Sequence, residues 1–319
     1  MSNFKECGIT GKKYTYGGVI DRALRWGTVL NKLLPPPATS PGQRNIVYFS
    51  PNCPEFPIVF YGTQAVGATI ICMNHTYTVA EVSRELNDCD ASAIVADPKY
   101  EQILRSAFQN MNKTLPVFTI GFSDYGSPNL LEIIEDSNTQ FAELVESPPE
   151  SIGAMFYSSG TTGKPKGVAL SHRALTSNCA IFLQPDIFAY KPTTAEYQET
   201  VTAVLPFYHV YGAVVINMFS FYLGAKMVSL PIFTPQDFLR IIKDHKMEIV
   251  HLVPPMLNFL VNSPAVTSKE LETVKVFMCA AAPVPPPSAM ALKEKAPHPV
   301  LFQEGKSFTE WEYLAPLLD

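Results

Sequence analysis

The chain has 319 residues, room for about two domains or one large α/β unit. Apolar residues make up 47% and charged residues 17%; that balance excludes a disordered chain and supplies a sizeable core. Lysine and arginine number 24 against 29 acidic residues, a net charge of −5, so there is no basic footprint for nucleic acid and only a local basic loop is left to consider.

The opening Met1-Ser2-Asn3-Phe4-Lys5-Glu6 has no basic-then-apolar signal pattern. The six cysteines form no C-x-x-C pair, and several lie in apolar runs. They read as reduced, mostly buried thiols of an intracellular protein without a disulfide framework. Apolar runs at 45–50, 68–73, 91–96 and 115–120 predict strands, and helical patterns fall between them near 17–34, 54–67, 78–88 and 98–111. Strands alternating with amphipathic helices imply βαβ units around mostly parallel sheets buried on both faces. Asp97-Pro98 punctuates one strand-to-helix junction.

The more polar stretch 122–150, with Pro128, Pro148 and Pro149, marks the expected subdomain border. Residues 1–150 form a first βα subdomain, and 151–319 a second part. Glu132, Glu135 and Asp136 fall on a solvated helix face. The alternation restarts with strands expected at 152–157, 201–205, 226–230, 249–252, 274–278 and 299–302. Helices are expected at 172–183, 208–223, 235–245, 255–262 and 286–295. Thr200 to Ala225 carries no charge, but its strictly apolar part is shorter than the ~20 residues of a membrane span; it reads as a buried strand and a buried helix. Proline clusters at 35–37, 254–255 and 285–287 punctuate elements. His75, His172, His245, His251 and His298 have no metal-ligand spacing, so no zinc site is expected. Lys243, His245 and Lys246 read as a surface cluster near a helix end.

The chemistry concentrates in Ser158-Ser159-Gly160-Thr161-Thr162-Gly163-Lys164-Pro165-Lys166-Gly167, which follows an apolar strand. Glycines let backbone N–H groups converge on an anion. The hydroxyls add donors, and the lysines add positive charge. Such a loop suits a triphosphate or pyrophosphate. It is not a Walker A loop, because Pro165 follows Gly163-Lys164 where Ser or Thr is needed.

This loop, with Leu170-Ser171-His172 behind it, resembles the signature of the adenylate-forming (AMP-binding) superfamily: acyl-CoA synthetases, 4-coumarate–CoA ligases, luciferases and peptide-synthetase adenylation domains. Leu205-Pro206-Phe207-Tyr208-His209-Val210-Tyr211-Gly212 resembles that family's strand-to-helix block. Cys279-Ala280-Ala281-Ala282-Pro283 resembles its Gly-Ala-Ala-Pro block, and Glu304 to Glu310 its Gln-Gly-Tyr-Gly-Met-Thr-Glu block.

The resemblance implies two side-by-side βα subdomains and a two-step ligase. ATP and a small carboxylic acid give an acyl-adenylate and pyrophosphate, and CoA then takes the acyl group. By the same resemblance Lys164, Lys166, His209 and Thr309 are catalytic. Ser158, Ser159, Gly160, Thr161, Thr162, Gly163, Gly167, Ala281, Ala282 and Glu304 bind the nucleotide. His209, Tyr211 and Ala281 serve the acyl substrate, and Glu310 ligates Mg²⁺. His209 follows a strand at its carboxyl end, where open α/β sheets bind ligands; its structural alternative is a core histidine among Phe207, Tyr208 and Tyr211.

Three positions depart from the family. Lys306 stands where an aromatic residue stacks on adenine, and Ser307 and Ala280 each replace a glycine. Residues 311–319 do not resemble the family's continuation, in which a ribose-binding Asp, a hinge Arg and a small domain with an adenylation Lys follow. The expectation is therefore an incomplete ligase with weak or no turnover, or else a non-catalytic nucleotide- or acyl-binding module. A cytoplasmic location is expected, since the final Leu317-Leu318-Asp319 is not the Ser-Lys-Leu peroxisomal address.

Overall fold

The structure is a computed structural model that describes residues 3–34, 44–136, 141–158, 165–182, 191–298, 301–307 and 310–313. In chain order the first elements are β1 (Asn3–Cys7), β2 (Lys13–Thr15), α1 (Tyr16–Leu33), β3 (Asn45–Phe49), α2 (Phe56–Ala65), β4 (Thr69–Cys72) and α3 (Val79–Asp88). Then come β5 (Ala93–Ala96), a 3₁₀ turn (Pro98–Tyr100), α4 (Glu101–Met111), β6 (Val117–Thr119), α5 (Leu130–Glu135), β7 (Ile152–Ser158), β8 (Lys166–Ser171) and α6 (His172–Phe182). After β9 (Thr200–Ala203) a π-helix (Tyr211–Met218) leads into α7 (Phe219–Leu223), β10 (Lys226–Ser229), α8 (Pro235–Asp244) and β11 (Ile249–Leu252). The last elements are α9 (Pro254–Asn262), β12 (Val276–Ala280), α10 (Pro286–Lys295), β13 (Leu301–Ser307) and β14 (Glu310–Tyr313).

The chain divides into two compact units. One holds residues 1–15, 178–206 and 214–319, and the other 16–177 and 207–213. The second unit is built on a six-stranded sheet in the order β6-β5-β3-β4-β7-β8. Its first five strands are parallel and β8 runs antiparallel to β7. β7 pairs with β4, so this sheet runs across the border expected at residue 150. The other unit carries an eight-stranded sheet, β14-β13-β12-β11-β9-β10-β1-β2. It is parallel except at its two edges, where β1–β2 and β13–β14 are antiparallel.

Local chemistry accounts for most elements. β3, β4, β5 and β11 are buried along their full length, as continuous apolar runs between helical layers should be. α3 opens on a capping box: Thr78 Oγ1 accepts from the Glu81 N–H, and the Glu81 carboxylate accepts from the Thr78 N–H at 2.8 Å. α4 ends on Asn112 in the left-handed conformation, φ 50°. α8 begins with Pro235 behind the Thr234 cap. α1 and α2 cross closely where Gly62 faces the Ala23 backbone, and the buried Trp26 indole N–H donates to Thr63 Oγ1 at 3.2 Å beside that crossing. One core of the second unit gathers Val47, Phe49, Ile71, Leu86, Ile94 and Leu104.

The uncharged stretch from Thr200 to Ala225 forms strand β9, the π-helix and α7. No helix among the described residues is long and apolar enough to cross a membrane. Glu132, Glu135 and Asp136 are exposed, and Glu135 pairs with Arg22 at 2.8 Å. None of the six cysteines is in a disulfide; five are buried and Cys53 is half-buried.

Candidate active site

In the second unit the parallel strands align their carboxyl ends. Tyr48 pairs with Cys72, Phe49 with Ala96 and Cys72 with Phe156. The residues that follow, Asn52, His75, Asp97 and Ser158, therefore emerge at one edge of the sheet, where open α/β sheets bind ligands. Asp97 caps the 3₁₀ turn by accepting the Lys99 N–H at 2.9 Å.

Ser158 ends β7 and stands opposite Lys166 on β8, and Tyr157 stands opposite Gly167. Ser158, Lys166 and Gly167, on the two strands that flank the stretch 159–165, are exposed. Ser159, Gly160, Thr161, Thr162, Gly163 and Lys164 lie outside the described residues. Tyr157 ties β7 to α3: its hydroxyl donates to Asp88 Oδ2 at 3.0 Å and lies 3.3 Å from the Glu85 carbonyl. Burial, with the acidic neighbours, pushes that phenol far above its ordinary range. His172, behind the hairpin, donates its backbone N–H to Ser151 at 3.0 Å. Its ring lies over Gly153, where a Cβ would stand 3.0 Å from Cε1.

The segment 207–213 carries His209 and Tyr211. His209 is exposed and Tyr211 is buried. Surrounding protein desolvates the His209 imidazole and holds its pKa below the ordinary histidine value. The His209 carbonyl accepts the Ala213 N–H at 3.0 Å and leads into the π-helix, an element frequent at functional sites. Further along that helix the fully buried Asn217 has neither amide atom hydrogen-bonded among the described residues.

In the other unit, Ala281 and Ala282 follow the carboxyl end of β12 and are exposed. Ala281 has φ +82°, a conformation that disfavours any residue with a Cβ. Glu304 on β13 stands opposite Cys279 of β12 and Glu312 of β14, and Glu310 stands opposite Ser307. Thr309 lies outside the described residues. Among the described residues no group of three or more His, Cys, Asp or Glu side chains is arranged to hold a metal ion. A single hard carboxylate such as Glu310 suits Mg²⁺ that takes its other ligands from phosphates and water. Asn52, His75 and Tyr157 were not among the site residues expected from the sequence. Their common signal is position: Asn52 and His75 fall three residues past the end of a parallel strand, and Tyr157 is the penultimate residue of another.

The mostly parallel sheets with helices between their strands make this an α/β protein. The family comparison narrows this. Residues 5–306 match the family model described as "AMP-binding enzyme", and the chain belongs to that family, the adenylate-forming superfamily. It is 28% identical over 315 residues to 4-coumarate–CoA ligase 2 of Solanum tuberosum, covering 97% of this chain and 55% of the relative. It is 30% identical over 316 residues to 4-coumarate–CoA ligase-like 9 of Oryza sativa subsp. japonica, covering 96% and 53%. The chain spans about half the length of the curated relatives it matches. Among solved structures, ATP-bound MatB from Rhodopseudomonas palustris superposes with a TM-score of 0.79 at 22% identity, covering 95% of this chain and 56% of that one. The anthranilate CoA ligase AuaEII in complex with anthranoyl-AMP gives 0.82 at 19%, covering 96% and 57%. These likenesses establish the fold, the large N-terminal part of an adenylate-forming enzyme.

Proposed function

We propose that the chain serves an acid–thiol ligase reaction. A carboxylate oxygen of a small acid attacks the α-phosphorus of ATP, the bond to the β-phosphate oxygen breaks, and pyrophosphate leaves. The CoA thiol then attacks the acyl carbon and displaces AMP. The observation that carries this reading is the β7–β8 hairpin, which sets Ser158 opposite Lys166 around the Gly/Thr/Lys stretch in a chain of the AMP-binding family.

Thr161, Thr162, Gly163, Lys164 and Lys166 hold the β- and γ-phosphates. Backbone N–H groups and cations there offset the charge of the leaving pyrophosphate. Thr309 contacts the α-phosphate, and Ala281, Ala282 and Glu304 serve the nucleotide. His209 and Tyr211 serve the acyl group, with Ala281 assigned to it as well. Glu310 would hold Mg²⁺, whose charge neutralises phosphate oxygens.

Lys306 favours a second reading, a module that binds nucleotide or acyl group with weak or no turnover, because a lysine offers adenine no aromatic face. The test is pyrophosphate release with ATP, Mg²⁺ and a panel of aryl and alkyl carboxylic acids. Acid-dependent release supports the ligase. ATP binding without release supports the module, and neither binding nor release in a folded chain refutes both.

A further inference from the structure

The chain takes an unusual course after β9. It departs the first unit at Pro206, and residues 207–213 belong to the second. Contacts within that unit hold them there. The Phe207 backbone N–H donates to Asn52 Oδ1 at 2.8 Å. The Phe207 ring stacks on Phe56, with centroids 4.7 Å apart and planes 19° from parallel. The Tyr208 ring meets His75 edge-on at 5.5 Å, and His75 in turn meets Tyr100 at 5.1 Å. Asn52 is 5% exposed, and Phe207 and Phe56 are fully buried. The next residue, His209, is exposed.

We propose that Asn52 is a positioning residue: by fixing the Phe207 amide at the carboxyl end of β3 it sets where the His209 imidazole stands for the acyl substrate. This rests on the ligase reading given above. The contacts do different work. Stacked and edge-on rings supply affinity but tolerate sliding along an apolar face. The hydrogen bond is directional, and its angle fixes the peptide plane. A buried N–H also needs an acceptor, and Asn52 Oδ1 supplies it. Only two residues separate that amide from His209, about 7 Å of chain at most. Pro206, immediately before, restricts φ and removes a further donor. Immediately upstream of His209 the chain is thus fixed by the Pro206 torsion and by the Pro206–Phe207 peptide plane, and His209 is placed from there. A neutral amide oxygen is the suitable acceptor, since a carboxylate is costlier to bury.

The experiment uses the full chain with ¹³C-labelled histidine, comparing Asn52→Ala and Asn52→Asp with the unchanged protein. His209→Gln assigns the His209 ring resonance. In Asn52→Ala we expect that resonance to shift while that of His172, in the same unit, stays in place; Asn52→Asp, which restores an acceptor oxygen, returns it. In acyl-adenylate formation, kcat falls about 100-fold, as a displacement near 1 Å produces, while KM for ATP stays within about twofold. Should Asn52→Ala fail to fold, Asn52→Ser, whose hydroxyl is too short to reach the amide, takes its place. A folded variant whose His209 resonance is superimposable on that of the unchanged protein overturns the proposal. If the resonance behaves as expected but no variant, nor the unchanged protein, forms adenylate, Asn52 still positions the ring and the ligase reading falls instead.

Discussion

Replacing Glu85 with glutamine should make the protein more stable at alkaline pH and leave it nearly unchanged in mild acid. Glu85 is 1% exposed on α3, with the Tyr77 hydroxyl as the hydrogen-bonding neighbour of its carboxylate. The nearest cation, Arg84 Nη2, stands 3.9 Å away. Burial raises the pKa from 4.5 to about 7; Arg84 and Tyr77 oppose the rise, and the charges of Glu81 and Asp88 add to it. A carboxyl whose folded pKa lies above its unfolded value binds its proton more tightly when folded. Its stabilising contribution is complete below about 4.5 and is lost as pH rises to about 7. A shift of 7 − 4.5 = 2.5 at 1.36 kcal/mol each is about 3 kcal/mol. His251 works in the opposite sense. Burial lowers its pKa to about 3, so its contribution is lost as pH falls below its ordinary value. Both proteins share that term, and it cancels in the difference. Urea denaturation followed by circular dichroism, at intervals from about pH 5 to about pH 8, should show Glu85→Gln gaining about 2–3 kcal/mol over the unchanged protein across that range. A difference that stays flat with pH would refute the reasoning.

Two further substitutions probe backbone geometry. A Cβ on Gly62 would stand 3.0 Å from the Ala23 Cα and closer still to its carbonyl, so Gly62→Ala should force α1 from α2 and cost about 1–3 kcal/mol in thermal unfolding; an unchanged melting temperature would contradict the close crossing. Ala281→Gly should relieve the left-handed strain of about 1–2 kcal/mol, partly offset by glycine's extra chain entropy. A net gain of about 0.5–1 kcal/mol is expected, and a loss would show that φ +82° is not strained.

The buried parallel strands were legible because each is a short apolar run between turn signals; 249–252 and Ile249–Leu252 coincide. Proline punctuation made helix starts readable, as at Asp97-Pro98 and in the cluster 285–287. The edges were not legible. β1, Asn-Phe-Lys-Glu-Cys, has no apolar run, and Lys5 is nonetheless fully buried there; its strand state comes from parallel pairing with β10, far along the chain. β8 lies largely exposed on an edge, so burial left no pattern to read. The helix expected over 208–223 divides into a π-helix and α7 at Met218, because apolar periodicity marks a buried helix without distinguishing five-residue from four-residue hydrogen bonding. At the candidate site, the stretch 158–167 stands out by its Ser/Thr/Gly/Lys composition. The left-handed Ala281 did not, since the glycine that would signal such a turn is absent. Asn52 and Phe207 are brought together only by the fold, 155 residues apart in sequence.

The measurement that bears most directly on the central claim is isothermal titration of the chain with ATP and Mg²⁺, in parallel with the Lys164→Ala/Lys166→Ala double variant. Saturable binding to the unchanged chain and a loss of about tenfold or more in the variant are expected, as removal of two charged phosphate contacts requires. Equal affinity in the two, with both folded by circular dichroism, would contradict the assignment of residues 158–167 as the phosphate-binding loop.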